Sequence, residues 1–520
     1  MNERRHTLRN TLFSSIGIYA EYFLGMVAAI VIARHLGPDR YGVYSMFIWF
    51  AAIGIVVTNS GITTGVIKFI SEFRGSGREA MVHPLLVYMR RVQAWHMVLV
   101  IGAAAAGLAL AGHRLPHTPD LAEFALLAAA VAMRAPYMFN IAIAKGFEAF
   151  DATARVSMLA APLNLLLVVG AVLAGAPMFW FLVVYAGSSA IFLASSALQA
   201  RRLLARVPPA QPMPDELRQR VRHHLRVVSV TVVVGFLIAS DVEIVFLNTF
   251  ATASDAGYFK VAYQLATGMM LLVPGVFGAV LLPMMSKALS RGRDLAAQRF
   301  VAVTVYLVML SAPVVVFGMC FAGPIIHLLY GHTYAAAAPV FAVAILASAL
   351  STANQGAISL LVSADRQRTI LLMTVLFGAI KLSLDALLIH QYALRGAVVA
   401  ILAEAAASTL SYVLVALKVS GARMDLRRLG AVLLASAGAA AVSLPVLMLD
   451  VPALVSVLLG GLMVLLGYGL LTLLLPCWSR GDIAQLQELH ARFARSWPGP
   501  LQRLLQRAGE RAEARTERVA

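Results

Sequence analysis

Long apolar runs dominate the chain, and charged residues gather in the short stretches between them. Each run approaches the roughly 20 residues that a helix needs to cross the hydrocarbon core. Backbone polar groups cannot stay unpaired in lipid, so runs of this length read as helices. A transmembrane barrel would instead show short alternating segments, and the chain has no such pattern. The periodicity predicts an all-α polytopic membrane protein with about fourteen spans. Seven cover residues 10–34, 41–66, 86–111, 121–145, 152–174, 177–200 and 224–250. Seven more cover 257–285, 297–322, 335–362, 369–390, 394–417, 429–449 and 452–476.

Composition agrees with this class. The chain is 60% hydrophobic and 13% charged, against roughly 45–50% and 25% for soluble domains. A net charge of +17 suggests nucleic acid only until the basic residues are placed. With the amino terminus inside, 35 of the 42 Lys and Arg residues fall in inner segments. The outer loops hold Arg34, Arg40, Arg114, Lys260 and Arg395. By the positive-inside rule both termini are expected in the cytoplasm of a bacterial inner-membrane protein, with no nucleic-acid partner. Two cysteines, Cys320 and Cys477, give no disulfide framework. The run after Arg9 is too long for a signal peptide and lacks a small-residue cleavage site, so it is expected to remain as the first span.

The chain repeats itself. Ser71, Gly77 and Arg78 recur as Ser286, Gly292 and Arg293 at an offset of 215 residues, and Gly42 recurs as Gly257 at the same offset. Asn140 and Asp151 match Asn354 and Asp365 at 214. An even number of spans separates the copies, which implies two parallel six-helix repeats, one of the two standard transporter designs. The expected division is a lobe over 1–200, a basic linker over 201–223, a second lobe over 224–419, two extra helices over 420–476 and a cytoplasmic tail over 477–520. The linker stretch 201–226 carries Pro208, Pro209, Pro212 and Pro214. In the tail, Ile483, Leu486, Phe493 and Trp497 fall at near-helical spacing with Arg492 and Arg495 between them. That pattern fits either an interfacial amphipathic helix or a frayed basic end.

Ionisable groups inside spans carry the chemical information, because each costs about 2.5–3.5 kcal/mol at mid-membrane on insertion scales. Seven qualify: Glu21, Arg134, Asp241, Glu243, Lys381, Asp385 and Glu404. Glu21 and Asp241 lie in repeat-related spans and read either as proton- or cation-responsive groups or as protonated structural acids. Asp241 and Glu243 are two residues apart, about 200° around a helix, so one should line a cavity while the other meets a neighbouring helix. Arg134, beside Pro136, offers a fork suited to phosphate; the alternative is an ion pair with a buried acid. Lys381 and Asp385 share a helix face and read either as a self-neutralising pair or as ligand contacts, with Glu404 in the adjacent span. Lys68, at an inner helix end, either extends an anionic-head site or snorkels. Phosphate-loop, zinc-cluster and nucleophile-elbow motifs are missing and the loops are short, so no enzyme, cofactor or metal is expected.

At residues 32–61 the sequence resembles Wzx-type polysaccharide flippases of the MOP superfamily, which also holds MATE exporters and lipid II flippases. The resemblance rests on Ala33–Arg34, Leu36-Gly37-Pro38, Tyr41-Gly42, Tyr44 and Gly61–Ile62, with Ala256-Gly257-Tyr258 and Val273-Pro274 in the second half. It implies two six-helix lobes around a cationic cavity, with helices thirteen and fourteen added to the twelve-span core. It also implies an undecaprenyl-diphosphate-linked oligosaccharide as cargo, moved by alternating access on a proton or cation gradient. On that reading Arg134, Lys381 and Lys68 contact the diphosphate or sugar, and Glu21, Asp241, Glu243, Asp385 and Glu404 serve coupling. Membrane lipid, and a polysaccharide polymerase or glycosyltransferases, are the expected partners. A MATE-like drug antiporter, a lipid II flippase and a membrane polymerase or ligase are the alternatives; the short loops oppose the last.

Overall fold

The computed structural model describes residues 2–112, 117–209, 211–239, 241–275, 278–479, 481–484 and 487–488. Among these there is no strand. The first unit's helices are α1 (Asn2–Asn59), α2 (Ile62–Gly75), α3 (Val82–Ala111), α4 (Leu121–Gly146), α5 (Phe150–Leu173), α6 (Met178–Leu204), α7 (Asp215–Ala239) and α8 (Glu243–Phe250). Then come α9 (Ala253–Gly275), α10 (Gly278–Arg291), α11 (Arg293–Cys320), α12 (Ala322–Tyr330) and α13 (Ala337–Ser363). Last are α14 (Gln367–Ser420), α15 (Leu426–Ser443) and α16 (Ala453–Leu474).

Among the described residues ten helices are long and apolar enough to cross a membrane, where the sequence predicts fourteen spans. The difference lies in four places. Two of the ten are double: α1 turns a corner at Gly37 (φ 73°, ψ 169°), just before Pro38, and α14 does so at Ala393 (φ 50°, ψ −129°). A left-handed glycine followed by a residue with no N–H ends one helix and starts the next. At the second corner a Cβ on Gly396 would collide with the Leu388 carbonyl, so the two arms leave it in close contact. The expected seventh span is interrupted, and the expected eighth falls on α9 and α10, with residues 276 and 277 between them outside the described residues. Asp241 and Val242 are non-helical between α7 and α8. The basic linker is also shorter than expected, since α6 runs to Leu204 and α7 begins at Asp215.

The chain forms two compact units, one of Met1–Val261 with Gly378–Ala397, the other of Ala262–Phe377 with Val398–Ala520. In the first, α1 packs on α4 and α5, and α4 on α6. Its larger core gathers Phe69, Phe73, Met89, Phe139, Ile143 and Leu225; a smaller one holds Tyr137, Val156, Ala160 and Phe192. An exposed fork from Arg220 on α7 to Glu72 on α2 (2.7 and 2.8 Å) ties the loop ends together. Surface pairs of this kind contribute at most about 1 kcal/mol.

The second unit is built around Phe300, Leu360 and Tyr412. Here α15 and α16 lie against each other and against α11, and the Tyr468 hydroxyl donates to the Met309 carbonyl at 2.8 Å. A Cβ on Gly460 would enter the Phe321 ring. The opposite face of α16 exposes Leu458, Leu462, Leu465 and Leu466. In a helix this apolar, such a face suits lipid rather than water. Below α16, Arg428 donates to the Cys477 carbonyl (3.0 and 2.9 Å) and Tyr306 to Asp482. Burial pushes the Cys477 thiol up to about 11, so it stays protonated. Arg114 and the tail residues Leu486, Arg492, Phe493, Arg495 and Trp497 lie outside the described residues.

Helix ends refine the internal repeat. Gly77 and Gly292 both take positive φ (70° and 140°) after their helices, as their 215-residue match requires. At the next matched helix end the offset changes. The amides of Phe147, Glu148 and Ala149 bond back to Ile143, Lys145 and Ala144; those of Ala364, Asp365 and Arg366 bond to Leu360, Val362 and Leu361. Glu148 and Asp365 are both left-handed, at φ 57° and 55°. This shared C-cap sets a local offset of 217. The counterpart of Asp365 is therefore Glu148 and not Asp151, as the 214-residue match suggests.

Candidate functional site

Arg134 projects from α4 two residues before Pro136. Its guanidinium lies over Phe192 at 4.5 Å from the ring centre, over Tyr185 at 5.5 Å and over Tyr137 at 5.9 Å. Its Nε donates to Ser189 Oγ at 3.2 Å, and that hydroxyl donates in turn to the Tyr185 carbonyl at 2.7 Å. Among the described residues no carboxylate pairs with Arg134. The buried-acid ion pair weighed from sequence is therefore replaced by an aromatic cage. Ring faces attract a cation by about 0.5–2 kcal/mol without neutralising it. Among the described residues, one of the fork's five donors has a hydrogen-bond partner, Ser189.

Glu21 on α1 stands close by without meeting Arg134. Ser157 Oγ on α5 donates to Glu21 Oε2 at 2.5 Å, and the Tyr137 hydroxyl lies against the same carboxylate. Tyr137 thus presents its ring to Arg134 and its oxygen to Glu21. One base and one acid share a wall and are held apart by an aromatic spacer. Behind it runs a buried amide network: Gln93 Nε2 donates to Asn59 Oδ1 (2.6 Å) and to the Ala135 carbonyl (3.0 Å).

The second group of charges behaves differently. Asp241 sits in the gap between α7 and α8 and pairs with Lys260. Glu243, at the first turn of α8, pairs with Lys381 on α14 at 3.1 Å; the two side chains are 0% and 5% exposed. One of these acids was expected to face a cavity and the other a neighbouring helix; both meet a base on another helix. Lys381 reaches across to Glu243, a partner the sequence does not suggest, with Asp385 fully buried one turn along its own helix. Lys260 also changes place, from an outer loop to the interior of α9. The break in the helix explains the pairing, because it lets two acids only two residues apart turn to different neighbours.

The remaining candidates lie elsewhere. Lys68 is exposed on α2, with its ammonium over Phe69, and it lies near Glu72 and His224. Glu404 is half-buried in the second unit. Among the described residues no three His, Cys, Asp or Glu side chains are grouped to hold a metal ion.

Over residues 31–339 the sequence matches the family model described as polysaccharide biosynthesis protein. The chain belongs to that family. It is a Wzx-type flippase family, and the fold agrees. The structure of the lipid II flippase MurJ, in an inward closed conformation, has a TM-score of 0.67 at 14% identity, over 89% of this chain and 99% of that one. An inward-facing multidrug resistance MATE family transporter of the MOP superfamily gives 0.63 at 13%, over 76% and 94%. The Vibrio cholerae MATE transporter VcmN gives 0.55 at 15%, over 79% and 95%. No protein of curated function matches the sequence. At such identities the structures establish the fold, a multi-pass MATE/MOP-like helical membrane protein. The polysaccharide biosynthesis family and these structural relatives are flippases and transporters, not enzymes.

In this flippase-family chain the residues that sequence reasoning missed are the uncharged ones. Tyr137, Tyr185, Phe192, Ser157 and Ser189 build the wall around Arg134 and Glu21. Their signal was present but diffuse: aromatic and hydroxyl side chains on α4, α5 and α6, three helices flanking the charged positions.

Proposed function

We propose that this protein moves an undecaprenyl-diphosphate-linked oligosaccharide from the cytoplasmic to the outer leaflet of a bacterial inner membrane by alternating access. Both termini are cytoplasmic in this reading, and the cargo feeds surface polysaccharide assembly beside glycosyltransferases and a polymerase. A proton or cation gradient supplies the drive. The observation that carries the reading is Arg134, caged by Tyr137, Tyr185 and Phe192 and matched by no carboxylate among the described residues. A lipid diphosphate brings about two negative charges, and fixed positive charge in a low-dielectric cavity concentrates such an anion. The fork binds phosphate through two bonds, which a lysine cannot reproduce. Glu21, held by a serine and a tyrosine rather than a base, is the acid best placed to exchange a coupling proton.

The drug-antiporter alternative drew its support from mid-span acids. Asp241 and Glu243 are taken by Lys260 and Lys381, so they offer an organic cation little. The test compares Arg134→Ala and Arg134→Lys for surface polysaccharide and for folded protein in the membrane. Loss of polysaccharide in the first and partial output in the second, at normal protein levels, supports the reading; full output from Arg134→Ala removes it.

A further inference from the structure

After its corner, α1 meets the start of α9 with backbone against backbone. A Cβ on Gly42 would collide with the Ala253 carbonyl and stand 3.0 Å from the Gly257 nitrogen. A Cβ on Gly257 would collide with the Pro38 carbonyl and stand 3.0 Å from the Pro38 Cα. Neither glycine takes a left-handed conformation, so the requirement is for the missing side chain and not for conformational freedom. The contact is also reciprocal. Pro38 and Ala253 are 215 residues apart, and so are Gly42 and Gly257, the offset that relates the two halves of the sequence. At this crossing the internal repeat touches itself about a local twofold.

The chemistry of the crossing suits a contact that forms and parts. Asn248 on α8 donates its Nδ2 to the Gly42 carbonyl at 3.3 Å and to the Ile244 carbonyl at 2.8 Å. Pro38, Gly42, Ala253 and Gly257 pack as small residues, of the kind that lets backbones approach within weak Cα–H···O range. Separating such surfaces strands no charge. The neighbouring Glu243–Lys381 pair is the opposite, since parting it leaves two ions in an apolar interior.

We propose that the Gly42–Gly257 crossing is a gate, on the outer side in the orientation proposed above, which closes by backbone contact and parts when the cargo head group is released. The proposal rests on the flippase reading for what passes and on the geometry alone for what moves.

The test uses the full-length protein in proteoliposomes with Cys320→Ser and Cys477→Ser, and Ser45→Cys as reporter. Ser45 lies one turn from Gly42 on the same face and is 2% exposed. A membrane-impermeant maleimide applied from the outer side should label the reporter slowly in the parent. In Gly42→Ala and Gly257→Ala the added methyl cannot coexist with the closed contact, and labelling should rise on the order of 10–100-fold. Asn248→Ala adds no atom and should raise labelling in the same direction if an alanine variant fails to accumulate. Unchanged labelling in the variants that accumulate overturns the gate. So does loss of folded protein in all three, which would make the crossing a structural weld. Because labelling needs no cargo, failure here is distinguishable from failure of the flippase reading.

Discussion

Two regions of the first unit hold charge inside the bundle, and they solve its cost in opposite ways. Around Arg134 a base and an acid stand near one another, each satisfied by rings and hydroxyls. At the α7–α8 break, Asp241 and Glu243 each meet a lysine on another helix, and the Glu243–Lys381 pair is almost wholly removed from solvent. Burial and opposite charge tie the second group to the fold, because removing one partner strands the other. Partial exposure and incomplete pairing leave the first group available to something that arrives from outside the chain. The proposed function therefore rests on the charge among rings and hydroxyls and not on the paired ions.

Unpairing the buried ions separates the two regions most strongly. Lys381→Ala or Glu243→Gln should cost about 3–5 kcal/mol, enough to remove most folded protein from the membrane. The double variant Glu243→Leu with Lys381→Met should recover much of it, since an apolar replacement of both ions is often tolerated. Folded protein measured by detergent-solubilised size exclusion checks both. Asp241→Asn should follow the same direction with a smaller loss, as its pair with Lys260 keeps some exposure. Normal levels of Asp241→Asn combined with lost gradient dependence would return that acid to the coupling role. Glu21→Gln, in contrast, should keep folded protein near normal and lower gradient-driven transport, read as polysaccharide output against imposed pH difference. The smallest effect is expected from Arg220→Ala. Its exposed fork to Glu72 should change thermal stability by no more than about 1 kcal/mol.

Much of the fold was legible because lipid forces simple rules on a sequence. Apolar run length and loop charge placed both corners, at Gly37 and Ala393, between the spans read from the chain. The break near Asp241 was not legible. A helix interrupted inside the bundle keeps its apolar composition, and only the partner helices reveal why it breaks. The seven mid-span charges were found, yet their partners were not, since Lys260 looked like a loop residue until α9 was seen to begin at Ala253. The repeat read from the sequence slips by three residues near Asp365, where backbone hydrogen bonds rather than side-chain identity carry the equivalence. The cage around Arg134 was invisible for a further reason: aromatic residues on apolar helices look like core.

The most direct measurement sets Arg134→Ala beside Lys381→Ala in one strain and records the ratio of surface polysaccharide to folded membrane protein for each. If the two regions divide as described, Arg134→Ala loses polysaccharide at unchanged protein, so its ratio collapses, while Lys381→Ala loses both together and its ratio holds. A fall in folded Arg134→Ala protein in step with its polysaccharide would contradict that division and make the caged arginine one more structural ion.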